Sequence, residues 1–283
     1  MSEKVERIRN IALIGHGGAG KTSLAEAMLY KSGTIKRFGK IEEGNTAMDF
    51  EPEELKRRSS ISSGFHQLSW KNHTVNLIDT PGDQNFFSDT KSSMQAADGV
   101  IVVIDAVDGV KVQTELAWEF AKEFKQPCVI FINRLDRERA DFNRTFEDAK
   151  VSFEPKPIIL QLPIGAEAEF KGVVDLIRNK AYLYDADGKP QKVDIPAEMQ
   201  ELVESEREAL IENIAEADDA LIERYLEGET ITDDELRAAL KKGINERIFT
   251  PVACGSAIAK VGVDNLLDFV VSALPSPRIP DSL

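Results

Sequence analysis

The run Gly15-His16-Gly17-Gly18-Ala19-Gly20-Lys21-Thr22 constrains this chain more than any other eight residues do. It satisfies the spacing G-x-x-x-x-G-K-[ST], follows a short apolar run at residues 11–14, and precedes a helical stretch at residues 23–30 that opens on Ser23. Backbone without Cβ atoms at Gly15, Gly17, Gly18 and Gly20 wraps closely, so that loop N–H groups and a helix N-terminus can face a chain of phosphates. Ala19 keeps the loop small, and His16 reads as a loop residue rather than a catalytic one. Lys21 is expected to reach the β- and γ-phosphates, and the Thr22 hydroxyl to ligate Mg²⁺. Such a loop needs a strand before it and a helix behind it, which points to an α/β chain.

The rest of the sequence alternates accordingly. Apolar, β-rich runs recur at residues 75–79, 100–105, 128–133 and 249–253, with helical stretches between them. Strands that alternate with helices predict a doubly wound, mostly parallel sheet covered on both faces. Val112, Leu116, Phe120 and Phe124 recur every four residues and are expected on a buried helical face. The character changes at residues 157–247. Strand-like pieces at 158–162, 172–176 and 181–184 give way to an acidic helical tract, and residues 197–242 carry −10 of the chain's net −14. Pro196 reads as a helix start, and Thr232 with Glu235 has capping-box spacing. The predicted organisation is a nucleotide-binding domain at residues 1–156 and 248–277, an inserted α+β subdomain at 157–247, and a linker at 278–283 toward a following domain.

Three further motifs stand where strands end. Asp79-Thr80-Pro81-Gly82 places a carboxylate that can hold Mg²⁺ and a Gly82 N–H that can sense a γ-phosphate. Asn133-Arg134-Leu135-Asp136 offers a carboxylate able to accept from the N1–H and N2–H₂ of guanine, a pair of donors that adenine lacks. Cys254-Gly255-Ser256-Ala257 can supply backbone N–H groups to the guanine O6, a weak signal by itself.

In order and spacing these motifs resemble the GTPase superfamily, and the text between them resembles elongation factor G from about residue 7 to residue 277. Met48-Asp49-Phe50 with Arg57-Arg58-Ser59-Ser60-Ile61 is similar to that factor's first switch. Gln161-Leu162-Pro163-Ile164-Gly165-Ala166-Glu167 followed by Gly172-Val173-Val174-Asp175-Leu176 is similar to the start of its inserted subdomain, and Leu274-Pro275-Ser276-Pro277 to the exit from its first domain. The resemblance implies a ribosome-dependent GTPase domain that binds GTP or GDP with Mg²⁺ on Thr22, Ser60 and Asp79. It implies hydrolysis by positioning and charge neutralisation through Lys21 and Gly82, with large-subunit RNA and the stalk protein of the ribosome as partners of the complete factor.

The departures from that pattern are specific. The family's water-positioning His is Asp83 here, where an ionised carboxylate beside a γ-phosphate is repelled unless its pKa rises or a cation intervenes, and Gln84 stands one position late. The first-switch Thr is Ser60, which keeps the hydroxyl. A P-loop Asp is Gly18, and the Lys over the base is Arg134. Three readings follow: a hydrolysing translation factor, a GTP-binding switch with weak or no hydrolysis, and a ribosomal-protection or release-type relative. Net charge −14 argues against independent DNA binding. No apolar run is long enough for a membrane span, and the two cysteines, Cys128 and Cys254, form no disulfide framework, so a cytoplasmic location is expected.

Overall fold

A computed structural model describes residues 3–229 and 231–277, and the expected linker at 278–283 lies outside them. After a short helix α1 (Glu3–Glu6), strand β1 (Ile8–Ile14) runs into the glycine loop and helix α2 (Lys21–Lys31). Helix α3 (Pro52–Arg57) precedes the hairpin β2 (Gly64–Trp70) and β3 (His73–Asp79). Helix α4 (Phe87–Met94), β4 (Gly99–Asp105), α5 (Val112–Glu123), β5 (Cys128–Asn133) and α6 (Phe142–Ser152) follow. Next come β6 (Pro157–Ile159), β7 (Gln161–Ile164), β8 (Gly172–Asp175), β9 (Lys180–Tyr184) and β10 (Pro190–Val193), then α7 (Gln200–Ala215), α8 (Asp219–Leu226) and α9 (Asp233–Asn245). Strand β11 (Thr250–Cys254) and helix α10 (Val263–Ala273) close the described chain.

Seven strands form one sheet in the order β2-β3-β1-β4-β5-β11-β6, parallel throughout except for the antiparallel edge strand β2. Because β3 lies on one side of β1 and β4 on the other, right-handed crossovers send α2 to one face and α4 and α5 to the opposite face. The order therefore reverses at β1, and α/β sheets bind ligands at the carboxyl ends of strands flanking such a switch point. The central strands β4, β5 and β11 are buried at every position, as strands covered on both faces must be.

A second sheet, β10-β9-β8-β7, is wholly antiparallel and carries α7, α8 and α9 after it. Strand β6 pairs with β11, so residues 157–159 belong to the seven-stranded sheet. In the acidic tract Val203, Leu210 and Ile214 are buried, Met199 packs partly against the core, and Thr232 with Glu235 forms the capping box.

The four-residue stripe on α5 is not the buried face. Thr114, Ala117, Trp118 and Ala121 are buried, whereas Val112 is 64% exposed, and Phe120 and Phe124 only flank the core. With 3.6 residues per turn, a step of four drifts about 40° each time and winds off any fixed face. The core contact belongs to Trp118, whose ring stacks on Phe153 at 4.4 Å.

Candidate nucleotide site

The glycine loop and the motifs at residues 79–82, 133–136 and 254–257 lie at or just beyond the carboxyl ends of β1, β3, β5 and β11, while Ser60 comes from the segment between α3 and β2. The glycine loop leaves β1 with Gly15, Gly18 and Gly20 at φ 141°, 91° and 92°, a region open to glycine. Gly20 is the N-cap of α2 and has no side chain to cap it, so the orphan N–H groups of the first helical turn are left for an anion. A Cβ on Gly20 would collide with Asn133, and one on Gly82 would lie 2.5 Å from Gly17 N. Gly17 N–H donates to Gly82 O at 3.0 Å, which fastens the loop to the end of β3.

Lys21 is buried and its Nζ donates to Gly15 O (3.0 Å) and His16 O (3.1 Å). Burial lowers its pKa to about 8, against the pull of Asp79 and Asp49. Asp79 at the end of β3 is 1% exposed, and neither carboxylate oxygen has a hydrogen-bond partner. Burial raises its pKa to about 7, with Lys21 opposing. The Thr22 and Ser60 hydroxyls are 3.2 Å apart, and Ser60 Oγ donates to Asp49 Oδ1 at 2.7 Å. An orphaned buried carboxylate and a hydroxyl pair form a hard oxygen donor set that suits Mg²⁺ with retained waters. Thr80 Oγ1 donates to Leu13 O and Thr90 Oγ1 to Pro81 O, so Thr80 and Pro81 are tied into the scaffold that presents Gly82.

On the other side of the loop, Asn133 bridges two segments. Its Nδ2 donates to Ala19 O at 2.9 Å and its Oδ1 accepts the Ala257 N–H at 2.9 Å. Leu135 N–H donates to Gly255 O, and Ser256 pairs with Val261 through its backbone in a closed loop. Asp136 Oδ1 is buried without a partner. Arg134 adopts φ 67° and its guanidinium donates to Asp105 Oδ2 at 2.6 Å, which lays its stem beside this pocket.

His16 is buried, its ring Nδ1 3.2 Å from Thr114 Oγ1, and burial with nearby Lys111 and Lys21 lowers its pKa to about 4. Asp83 is exposed and its Oδ1 accepts from Asn85 N (2.9 Å) and Asn85 Nδ2 (2.8 Å), capping the turn that follows. The cleft beside Gly82 is lined by Gly17, Ser59, Gln84, Lys111 and Gln113. Sequence reasoning missed Asp49 as a partner of Ser60, and missed Asp105, Lys111, Gln113 and Thr114 altogether. These residues are brought in by strand order and by the first turn of α5, for which no local motif exists.

Comparison with known proteins gives this geometry a family. The model described as "Elongation factor Tu GTP binding domain" matches residues 6–276. The chain is similar to Elongation factor G 1 of Bdellovibrio bacteriovorus, 42% identical over 272 residues, which are 95% of this chain and 39% of that one. It is similar to Elongation factor G of Thermotoga maritima, 40% identical over 275 residues, 96% of this chain and 40% of that one. A crystal structure of a Thermus thermophilus protein superposes with a TM-score of 0.91 at 36% identity, covering 96% of this chain and 41% of that one. The chain thus spans about two-fifths of the length of these relatives. It belongs to the elongation factor Tu GTP-binding domain family.

Proposed function

We propose that this chain is the GTP-binding and GTP-hydrolysing unit of a ribosome-associated translation factor. The observation that carries the reading is a buried carboxylate with neither oxygen partnered, Asp79, on the phosphate side of one glycine loop, and a buried, unpartnered carboxylate oxygen, Asp136 Oδ1, on its base side. Unpaired buried acceptors are costly, and they persist where a ligand completes them. Asp136 would accept from the guanine N1–H and N2–H₂, with the Arg134 stem over the ring and the loop Gly255-Ser256-Ala257 at the O6. Gly15 to Ser23 would wrap the phosphates, and Lys21 would give up the carbonyls of Gly15 and His16 for the β- and γ-phosphates. Thr22, Ser60 and Asp79 would hold Mg²⁺, which would supply charge neutralisation at the phosphates. The Gly82 N–H would donate to the γ-phosphate.

Asp83 favours the second reading, a switch that hydrolyses slowly. Its carboxylate is engaged by Asn85 and carries no proton-accepting ring nitrogen, so it does not replace a histidine at that position. Hydrolysis by the 283-residue chain alone should be very slow and should rise when the complete factor meets ribosomes. Single-turnover hydrolysis of labelled GTP, with and without ribosomes, decides this. Fast turnover by the chain alone would overturn the dependence on a partner, and failure to compete GDP from the site with GTP would overturn the function itself.

The acidic helices extend the proposal to a partner surface. Glu201, Glu208 and Glu212 are exposed while Val203, Leu210 and Ile214 face inward. This face would dock a basic ribosomal component such as the stalk protein, accelerated by charge steering and weakened by salt. Reversing the three acids to Lys should slow association of the complete factor with ribosomes in stopped-flow and leave GTP affinity unchanged. Unaltered, salt-independent association would reduce this face to a solubilising cover.

A further inference from the structure

We propose a second metal site behind the glycine loop, formed by His16, Asp105 and Asp108 and suited to a Zn²⁺-class ion. One ligand atom from each of the three lies within 4.8 Å of the others, and His16 Nε2 is 3.8 Å from Asp108 Oδ2. Two carboxylates alone would be unremarkable on an acidic protein. The imidazole is what marks the place: His16 is 2% exposed and its Nε2 has no hydrogen-bond partner, although it faces the Asp108 carboxylate. Thr114 fixes the ring from behind. Its Oγ1 lies 3.2 Å from both the His16 backbone N and Nδ1. In the tautomer that donates from Nδ1 to Thr114, Nε2 presents its lone pair to the carboxylates, as in metal sites whose histidine is oriented by its other nitrogen.

The donor set selects the ion. One imidazole nitrogen and two carboxylate oxygens, with water in the remaining position, match Zn²⁺ and Co²⁺, whereas Mg²⁺ and Ca²⁺ take oxygen donors. Zinc bonds of about 2.0–2.2 Å in a tetrahedron put ligand atoms about 3.4 Å apart. The His16–Asp108 pair has roughly half an ångström to close. Asp105 is fixed at the end of β4, where Oδ1 accepts the Val107 N–H, whereas Asp108 is exposed and provides the route of entry.

Two cations compete for the same acids. Lys111 Nζ sits 2.7 Å from Asp108 Oδ2, and Arg134 NH1 2.6 Å from Asp105 Oδ2. Lys111 and Asp108 are each over two-fifths exposed, so their pair is easily opened, and the ion would enter as Lys111 swings away. This site lies on the opposite side of the loop from Thr22 and Asp79, and it does not depend on the reading of those residues as a Mg²⁺ site.

Competition makes the test two-sided. Metal-free, nucleotide-free protein is titrated with Co²⁺ followed by visible absorption, then with Zn²⁺ by calorimetry. One ion per chain is expected, with Zn²⁺ displacing Co²⁺. Asp108→Asn should weaken binding by at least ~10-fold, and Lys111→Met should strengthen it several-fold, because the first removes a ligand and the second a competitor. Asp108 lies outside the cleft beside Gly82, so unchanged GDP affinity shows that Asp108→Asn is folded, and unchanged far-UV dichroism shows the same for Lys111→Met. No binding by the wild type, or equal binding by wild type and Asp108→Asn, overturns the site. So does a Lys111→Met variant that binds more weakly than wild type.

Discussion

Replacing Asp79 by Asn should remove a pH dependence of stability whose size follows from burial. Without nucleotide and Mg²⁺, the Asp79 carboxyl is enclosed with neither oxygen bonded, and its pKa stands at about 7 against an ordinary 3.8. An acid with a higher pKa in the folded state binds its proton more tightly there. Its contribution is therefore favourable at low pH and is lost as pH rises from about 3.8 to about 7. At 1.36 kcal/mol per pKa unit the whole span is worth about 4 kcal/mol. Asn keeps the shape and does not titrate, so Asp79→Asn should gain about 3 kcal/mol on the wild type between pH 4 and pH 7. The comparison between the two proteins matters because His16 acts oppositely in the same window. Its pKa is lowered from 6.5 to about 4, so its contribution improves as pH rises, equally in both proteins. Lys21 titrates above the window in the wild type, and loss of the Asp79 charge lowers it in the variant. Urea unfolding of both proteins in EDTA, at half-unit steps of pH, measures the difference. Parallel curves would refute the assignment of Asp79 as a desolvated, unpaired carboxyl. Saturating Mg²⁺ and GDP should flatten the wild-type dependence, since a bound cation favours the ionised form.

Asp136→Asn should weaken GDP binding by at least ~100-fold, the loss of two hydrogen bonds to a charged acceptor, and should bring xanthine nucleotides into competition. Displacement of a fluorescent guanine nucleotide measures both, and equal competition by ATP against the wild type would sink the assignment. Gly20→Ala places a Cβ against Asn133 at φ 92°, so GDP affinity should fall at least ~10-fold in the same assay while far-UV dichroism is unchanged. Trp118→Ala should lower the unfolding free energy by about 3–5 kcal/mol in urea titration, because it empties the stack on Phe153.

Much of the sheet was legible because parallel strands buried on both faces are continuous apolar runs. The runs read at residues 11–14, 75–79, 100–105 and 128–133 lie within β1, β3, β4 and β5, and the run at 249–253 is displaced by one residue from β11. Strand β6 was not separable from β7, because Leu160 alone divides them and periodicity does not show that the chain changes sheets there. On α5 an apolar count misled. The buried face uses Thr114, Ala117 and Ala121, small residues that let the helix approach the sheet, and leaves Val112 to solvent.

The site divides along the same line. The glycine loop, Asp79 and Asp136 were readable because each must combine a residue type with a backbone geometry within a few positions. Asp105, Lys111, Gln113 and Thr114 were not, because their relation to the loop exists only once β4 is laid beside β1. Asp83 shows the limit of reading one position against a family pattern. Its residue type suggests a charge aimed at the phosphate, but an aspartate two residues before an N–H donor closes an Asx turn of its own, and here Asn85 supplies both donors. The Asp83 carboxylate is thus held by local hydrogen bonds from Asn85. On the proposed reading, the role of a histidine at this position would fall to Gln84 and Gln113 of the polar wall or to the proposed partner.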